Sequence, residues 1–285
     1  RAQQHKNYYT RRFKIGKTAH TIMTESKTDI RLFNLGQLQA QLGKYNWPKF
    51  RAKQVYHWLW KKHVRSFEEM NNLPKDIIEG LENNFEILPI RVKDEQVSDD
   101  GTIKSAFETA DKKIVEGVLI PTEKRMTACI SSQIGCSLAC SFCATGKLKR
   151  LRNLTASEIV DQVVEINNQA TTNYQKSLTN IVLMGMGEPL LNYSEVMKGI
   201  DMITSEDGLG MSPRRITLST AGISKMIRKM GDDMSRINLA LSLHAANDEK
   251  RSKIMAINDQ NNLDELAEAM IYYYSKTKQM LTFEY

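Results

Sequence analysis

Three cysteines, Cys136, Cys140 and Cys143, stand at x3 and x2 spacing within one short loop. Thiolates so placed are ligands for a soft metal centre. Structural zinc usually takes four ligands, commonly as two paired knuckles, and no second pair is present. The remaining cysteine, Cys129, lies upstream in a strand-like stretch at awkward spacing for a fourth ligand. Three thiolates suit a cubane iron–sulfur cluster, which then keeps one iron open to a substrate or cofactor. The spacing favours the cluster, with a zinc site as the alternative.

Other candidate groups lie downstream. Met184-Gly185-Met186-Gly187-Glu188-Pro189 places two glycines, a carboxylate and a strand-stopping proline together. Glycines admit close approach of the backbone to a ligand, and Glu188 can accept from an ammonium group. Ser219-Thr220-Ala221-Gly222 and Ser242-Leu243-His244 each put small polar groups at the end of an apolar run. Alone, His244 reads as a structural histidine, and a glycine-rich strand end is weak evidence. Together, three polar strand ends following a cysteine loop match the rim where α/β domains bind ligands. Phe142 fits an apolar lid over the cluster or a plain core aromatic.

The elements that must hold these groups follow from periodicity. From Cys129 onward the chain alternates. Strands are expected at Thr127–Ser131, Leu178–Gly185, Arg215–Thr220, Asn238–His244 and Leu281–Tyr285, with helices near 155–169, 193–204, 223–230 and 262–276. The first helix opens with a capping box, Thr155-x-x-Glu158. Such alternation implies parallel strands with right-handed crossovers, as a barrel or a doubly wound sheet. Upstream, residues 91–126 read as a β linker or extension with a hairpin turn at Asp99-Asp100-Gly101. Residues 29–90 read as a compact helical module. Its helices are marked by Leu32, Leu35, Leu38 and Leu42, then by Phe50, Val55, Trp58 and Leu59, then by Ile77, Ile78 and Leu81. Its second helix is ringed by Lys49, Arg51, Lys53, Lys61, Lys62 and Arg65. This is either a solvated face or a phosphate-contacting one.

The chain has 285 residues and a formal charge of +7. Residues 1–22 hold six cations and no acid, so the rest carries 34 basic and 33 acidic residues. Residues 1–28 read as a disordered basic tail, either a native arm or sequence upstream of Met23. No apolar run is long enough for a membrane span. A cytoplasmic location is expected, where clustered cysteines read as metal-binding or redox groups.

The cysteine spacing resembles the radical S-adenosylmethionine (SAM) superfamily. More closely, Cys129-Ile-Ser-Ser-Gln-Ile-Gly-Cys136, Gly185-Met-Gly-Glu-Pro-Leu-Leu-Asn192, Arg215-Ile-Thr-Leu-Ser-Thr220 and Leu241-Ser-Leu-His244 are similar to the RlmN/Cfr family of RNA methyltransferases. The resemblance runs from about Leu32 to Tyr285. It implies an α/β fold: a partial (β/α)6 radical SAM barrel over 127–285, incomplete at its C-terminus, after a helical RNA-binding module and a short β-segment. It implies that Cys136, Cys140 and Cys143 ligate a [4Fe-4S] cluster and that Gly187, Glu188, Ser219, Ser242, Leu243 and His244 contact SAM. By the same resemblance Cys129 is the cysteine that releases product through a disulfide, and Glu116 accepts the ring proton. From the residues alone Cys129 reads as a buried thiol and Glu116 as an exposed carboxylate.

The implied activity is methylation of adenine C2 in 23S rRNA and tRNA. The implied reductant is of the flavodoxin type, and the implied state a monomer. Alternatives are methylation at C8 of the same rRNA adenine, and a metal-stabilised RNA-binding protein without catalysis. The family's methyl-carrying cysteine and a SAM-contacting asparagine belong to a C-terminal segment beyond this sequence. The four cysteines here are all otherwise assigned. The chain is therefore expected to be a fragment that holds a cluster without completing methyl transfer.

Overall fold

The computed structural model describes residues 27–285. Most of the basic tail expected from the sequence lies outside them. Within them, Thr28–Asp29 (β1) pairs in parallel with Phe85–Glu86 (β2), tying the two ends of the helical module together.

The module holds α1 (Leu35–Gly43), α2 (Lys49–Trp60) and α3 (Lys75–Asn84). Asn34 and Gln37 form a reciprocal capping box on α1, satisfying two amides that the first turn leaves open. Pro48 and Pro74 stand immediately before α2 and α3, where a missing N–H costs nothing. Leu38, Val55, Leu59, Ile77 and Leu81 are buried as the periodicity predicts, whereas Phe50 is 52% exposed.

Several of the module's cations serve packing. The Lys61 ammonium donates to the carbonyls of Glu206 and Gly208, both at 3.0 Å. Arg65 pairs with Glu165. Arg31 is held between Asp29 at 3.1 Å and Asp161 at 2.8 Å, all in the contact with the barrel.

The rest of the chain builds β3 (Arg91–Val97), β4 (Ile103–Glu108), β5 (Ile114–Pro121), β6 (Met126–Cys129), β7 (Gln133–Ile134) and β8 (Arg152–Asn153). Then follow α4 (Ala156–Tyr174), β9 (Asn180–Leu183), α5 (Tyr193–Thr204), β10 (Ile216–Thr220) and α6 (Ser224–Asp232). The last elements are β11 (Asn238–Ser242), α7 (Asp248–Ile254), α8 (Leu263–Thr277) and β12 (Leu281–Glu284). One sheet of eight strands runs in the order β12-β11-β10-β9-β6-β5-β4-β3. From β6 to β12 every pair is parallel; from β3 to β6 every pair is antiparallel. The strands of 91–126, expected as a linker or extension, therefore continue the barrel sheet by direct hydrogen bonding. α7, which periodicity does not mark, is an additional short helix.

Register decides which side chains face where. Leu119 opposes Ala128, Ala128 opposes Ile181, Ile181 opposes Ile216, Leu218 opposes Leu239 and Leu241 opposes Phe283. Side chains alternate along each strand, so these residues share one face. It is mainly apolar, with Ser105 and Thr220 as buried exceptions. At one end α4 covers it, with Ile166 near Gly117; at the other Leu266 and Met270 of α8 line a groove with Leu241 and Phe283. The opposite face carries Glu116, Cys129, Thr217, Ser219, Ser242, Thr282 and Glu284. Helices on one face and polar groups on the other make an open barrel with a polar concave side, and the doubly wound alternative does not hold.

Candidate active site

The loop after β6 is stitched to the loop after β9 by backbone bonds. Ser132 and Gln133 donate to the Met186 carbonyl at 2.9 and 3.1 Å, and Gly185 donates to Ile130 at 3.0 Å. Ser131 Oγ donates to the Glu116 carbonyl at 2.6 Å and accepts from the Met186 amide at 2.7 Å. Such close approach requires the glycines. A Cβ on Gly185 would stand 2.8 Å from the Ile130 oxygen, and Gly187, at φ +96°, would put one 2.4 Å from Gln133 Cβ. The left-handed backbone at Gly187 alone disfavours any other residue.

These loops and the ends of β10, β11 and β12 surround one cleft. Its lining includes Cys136, Cys140, Cys143, Gly187, Glu188, Ser219, Ser242 and His244. The sequence singles out these eight residues in four separate stretches, and the fold brings them together. Phe142 also lines it, its ring edge-to-face with His244 at 4.8 Å between centroids.

Other candidates stand differently. The Leu243 side chain packs in the apolar groove on the outer face, so that residue offers the cleft only its backbone. Glu116 and Cys129 share the concave face but lie outside the cleft lining. Glu116 pairs with Lys104 at 2.7 Å. Burial pushes the Cys129 thiol up to about 11, partly offset by its hydrogen bond with the Met184 backbone; the Glu284 carboxylate adds to the rise.

Glu188 is 3% exposed. Its Oε1 accepts from the Leu190 amide at 3.0 Å and its Oε2 from the Ala221 amide at 2.7 Å. The carboxylate expected to meet an ammonium group thus already bridges the β9 and β10 loops, with its remaining lone pairs available to the cleft. Burial raises its carboxyl above the ordinary range, the direction that a bound cation would reverse.

Two residues of the site are not evident from the sequence. Glu284 lies directly opposite Ser242, and its Oε2 accepts from Ser242 Oγ at 3.1 Å and Ser219 Oγ at 3.2 Å. Arg251 on α7 is fully buried at 0% exposure. It donates to the carbonyls of Ala221 (2.6 Å), Ser242 (3.1 Å) and Leu243 (3.1 Å) and to Asn258 Oδ1 (2.8 Å). No carboxylate lies within salt-bridge range of it among the described residues. Alternation along β12 is the signal that points Glu284 inward with Ser242. Nothing marks Arg251, which sits in the charged run Asp248-Glu-Lys-Arg-Ser-Lys253.

The thiols suit a cluster. All four cysteines are free and partly exposed. Burial and mutual repulsion raise Cys136 and Cys140, the latter to about 11, so three neighbouring thiolates require a positive centre. Among the described residues no three Cys, His, Asp or Glu side chains converge as ligands of a single ion. A cubane spreads its thiolates over separate irons and does not need that convergence. Gly146 lets the loop fold back on itself, because a Cβ there would lie 2.8 Å from the Cys140 oxygen.

The Cys129 thiol gives a pH prediction. With its value near 11 instead of 9.0, its thiolate fraction at pH 8 is roughly a hundredfold below that of an exposed thiol. Alkylation of the folded chain at Cys129, followed by peptide mass spectrometry, should be slower by about that factor and accelerate up to pH 11. The folded state holds this proton where the unfolded one has lost it. The stabilisation is therefore complete below pH 9 and lost as pH rises towards 11. Alkylation at the rate of a free cysteine would contradict the burial.

An open β/α barrel with three cysteines after its first parallel strand, β6, is the arrangement that the radical SAM resemblance implies. Residues 130–281 match the radical SAM superfamily, and residues 28–87 match the ribosomal RNA large subunit methyltransferase N-terminal domain. The chain belongs to the RlmN family. It is 60% identical over 236 residues to the probable dual-specificity RNA methyltransferase RlmN of Cytophaga hutchinsonii, covering 83% of this chain and 65% of that one. To the protein of the same name from Flavobacterium johnsoniae it is 52% identical over 263 residues, covering 92% and 75%. The chain thus spans about two thirds to three quarters of the length of these relatives. The crystal structure of a radical SAM methyltransferase from Sphaerobacter thermophilus superposes with a TM-score of 0.84 at 37% identity, covering 90% of this chain and 76% of that one. No helix among the described residues is long and apolar enough to cross a membrane.

Proposed function

We propose that this chain carries the core of a methyltransferase acting on C2 of an adenine in 23S rRNA and in tRNA. The observation that carries this reading is the single cleft lined by the three cysteines and the polar strand ends. The names of the relatives supply the substrate class. When bound, the [4Fe-4S] cluster and SAM supply the one-electron chemistry that an electrophilic ring carbon needs.

The chain's own residues then have these roles. Cys136, Cys140 and Cys143 hold the cluster. Glu188 and the backbone at Gly187 receive the polar end of SAM. Ser219, Ser242 and His244, with the backbone of Leu243, orient the rest, and Phe142 closes one side against water. Glu116 takes the ring proton, with the Lys104 ammonium paired beside it. Cys129, kept protonated by burial, acts as a thiol held in reserve for product release. A cytoplasmic monomer served by a flavodoxin-type reductant fits this scheme.

Nucleoside mass spectrometry of rRNA and tRNA from cells expressing the full-length gene of which this chain is a part tests the reading. 2-Methyladenosine should appear in both, and 8-methyladenosine alone would overturn the regiochemistry. Electron paramagnetic resonance of the reduced, reconstituted chain tests the cofactor assignment. The signal should change on adding SAM, and an unchanged signal would leave a cluster without a SAM site.

A further inference from the structure

The ribbon that follows the cysteine loop has no role in the scheme above. From Ser137 to Leu151 there is no acidic residue, whereas Lys147, Lys149 and Arg150 stand at its tip. All three are exposed. None forms a salt bridge among the described residues, and the one side-chain bond made is Arg150 to Asn153 Oδ1 at 3.3 Å. Between and beside them Leu148 and Leu151 are 52% and 57% exposed. By contrast Arg152, the next cation, is turned inward to Asp111 and Glu158.

The backbone that carries these side chains is fixed. β7 and β8 pair at Gln133↔Asn153 and Ile134↔Arg152. Leu151 donates to the Ile134 carbonyl at 2.8 Å, and the Leu148 carbonyl accepts from Cys136 at 3.4 Å. Gly135, at φ +76°, lies so close that a Cβ would stand 2.3 Å from the Lys149 oxygen. The segment leading into β8 is thus clamped onto the cysteine loop while three cations and two leucines are displayed outward. Thr145, at the base of the same ribbon, lines the cleft.

A rigid surface that offers cations interleaved with apolar side chains complements a polyanion with apolar faces. Single-stranded nucleic acid is such a ligand, giving phosphates to the cations and sugar or base faces to the apolar groups. An anionic lipid surface is the other chemistry with both features. Membrane binding of this kind normally uses an amphipathic helix with a long apolar face. A tip of five residues at the mouth of a catalytic cleft fits a strand of RNA better. We propose that Lys147–Leu151 is an RNA-docking ribbon. It holds the substrate strand over the cleft through Lys147, Lys149 and Arg150 on phosphates and Leu148 and Leu151 on base or sugar faces. This rests on the reading of the cleft as acting on RNA.

The test is the salt dependence of RNA binding by the reconstituted chain, measured by fluorescence anisotropy with a tRNA transcript and an unstructured oligonucleotide. The triple variant K147A/K149A/R150A should bind both more weakly. Its slope of log affinity against log salt should be smaller by about 2 to 3, at roughly 0.7 to 0.9 for each of three phosphates no longer neutralised. The pair L148S/L151S should lose affinity with an unchanged slope. All five positions are exposed, and iron content and SAM binding should equal those of the parent. A parent that binds RNA beside a triple variant of equal affinity and slope would overturn the ribbon alone. A parent that binds phosphatidylserine vesicles through these cations but not RNA would overturn it in favour of a lipid surface. A parent that binds neither would take down the RNA reading and the ribbon with it.

Discussion

Replacing any one of Cys136, Cys140 or Cys143 by alanine is expected to leave the chain without iron. Each thiolate binds a different iron of a cubane, and two thiolates do not retain the cluster against solvent. No substitute is at hand. Cys129 lies on β6, outside the cleft lining that holds the other three thiols. His244 lines the cleft, but its ring is packed edge-to-face against Phe142. Anaerobic reconstitution followed by iron and sulfide analysis reads the result. The parent should hold about four irons per chain and each single variant less than one. Cys129→Ala should retain the parent's content. The fold does not depend on the outcome, because the cysteine loop is partly exposed and the barrel core lies beneath other residues. Far-ultraviolet circular dichroism should therefore match among all four variants. A single-cysteine variant with full iron and an intact visible absorption band would mean that the ligand set is wrong.

Arg251→Met is expected to destabilise the chain by on the order of 4 kcal/mol. The guanidinium is fully buried and makes four hydrogen bonds, three of them to main-chain carbonyls of the β10 and β11 ends. A charged donor to a carbonyl contributes about 1.5–3 kcal/mol, and each buried acceptor left unpaired costs about 1–3 kcal/mol. The terms overlap and do not add, but they share a sign. Methionine matches much of the volume, so little of the loss comes from a cavity. Arg251→Lys should recover part of it, because an ammonium has three donors but cannot span carbonyls on two loops. Urea unfolding monitored by circular dichroism gives both values. A methionine variant within about 0.5 kcal/mol of the parent would mean that water can replace the guanidinium, and that Arg251 does not hold the rim together.

Much of this site is legible in the amino-acid sequence. Cys136, Cys140 and Cys143 declare themselves by spacing, and Gly187, Ser219 and Ser242 by lying where apolar alternation stops. Those signals are local, and local geometry enforces them. What stays hidden depends on partners distant in sequence. Arg251 reads as surface charge because every close neighbour in the run is charged or polar, and only the packing of α7 beneath the ends of β10 and β11 buries it. The strands of 91–126 are legible as strands. Their membership of the barrel sheet depends on the pairing of Val118 with Cys129, which no periodicity encodes. The module's cations are legible as a basic face, yet Lys61 and Arg65 meet carbonyls and a carboxylate of the barrel. Charge alone does not say which cations a fold consumes internally.

The two margins of the eight-stranded sheet differ in kind. At one margin β3 shows Arg91, Lys93, Asp94 and Glu95, and all seven of its residues are exposed. Such charge blunts strand-to-strand addition by another molecule. At the other margin β12 borders the apolar groove, with Ile271, Tyr274, Met280 and Phe283 exposed around it. Self-association of this chain in concentrated solution would begin at β12, and mild detergent or an arginine buffer would act there first.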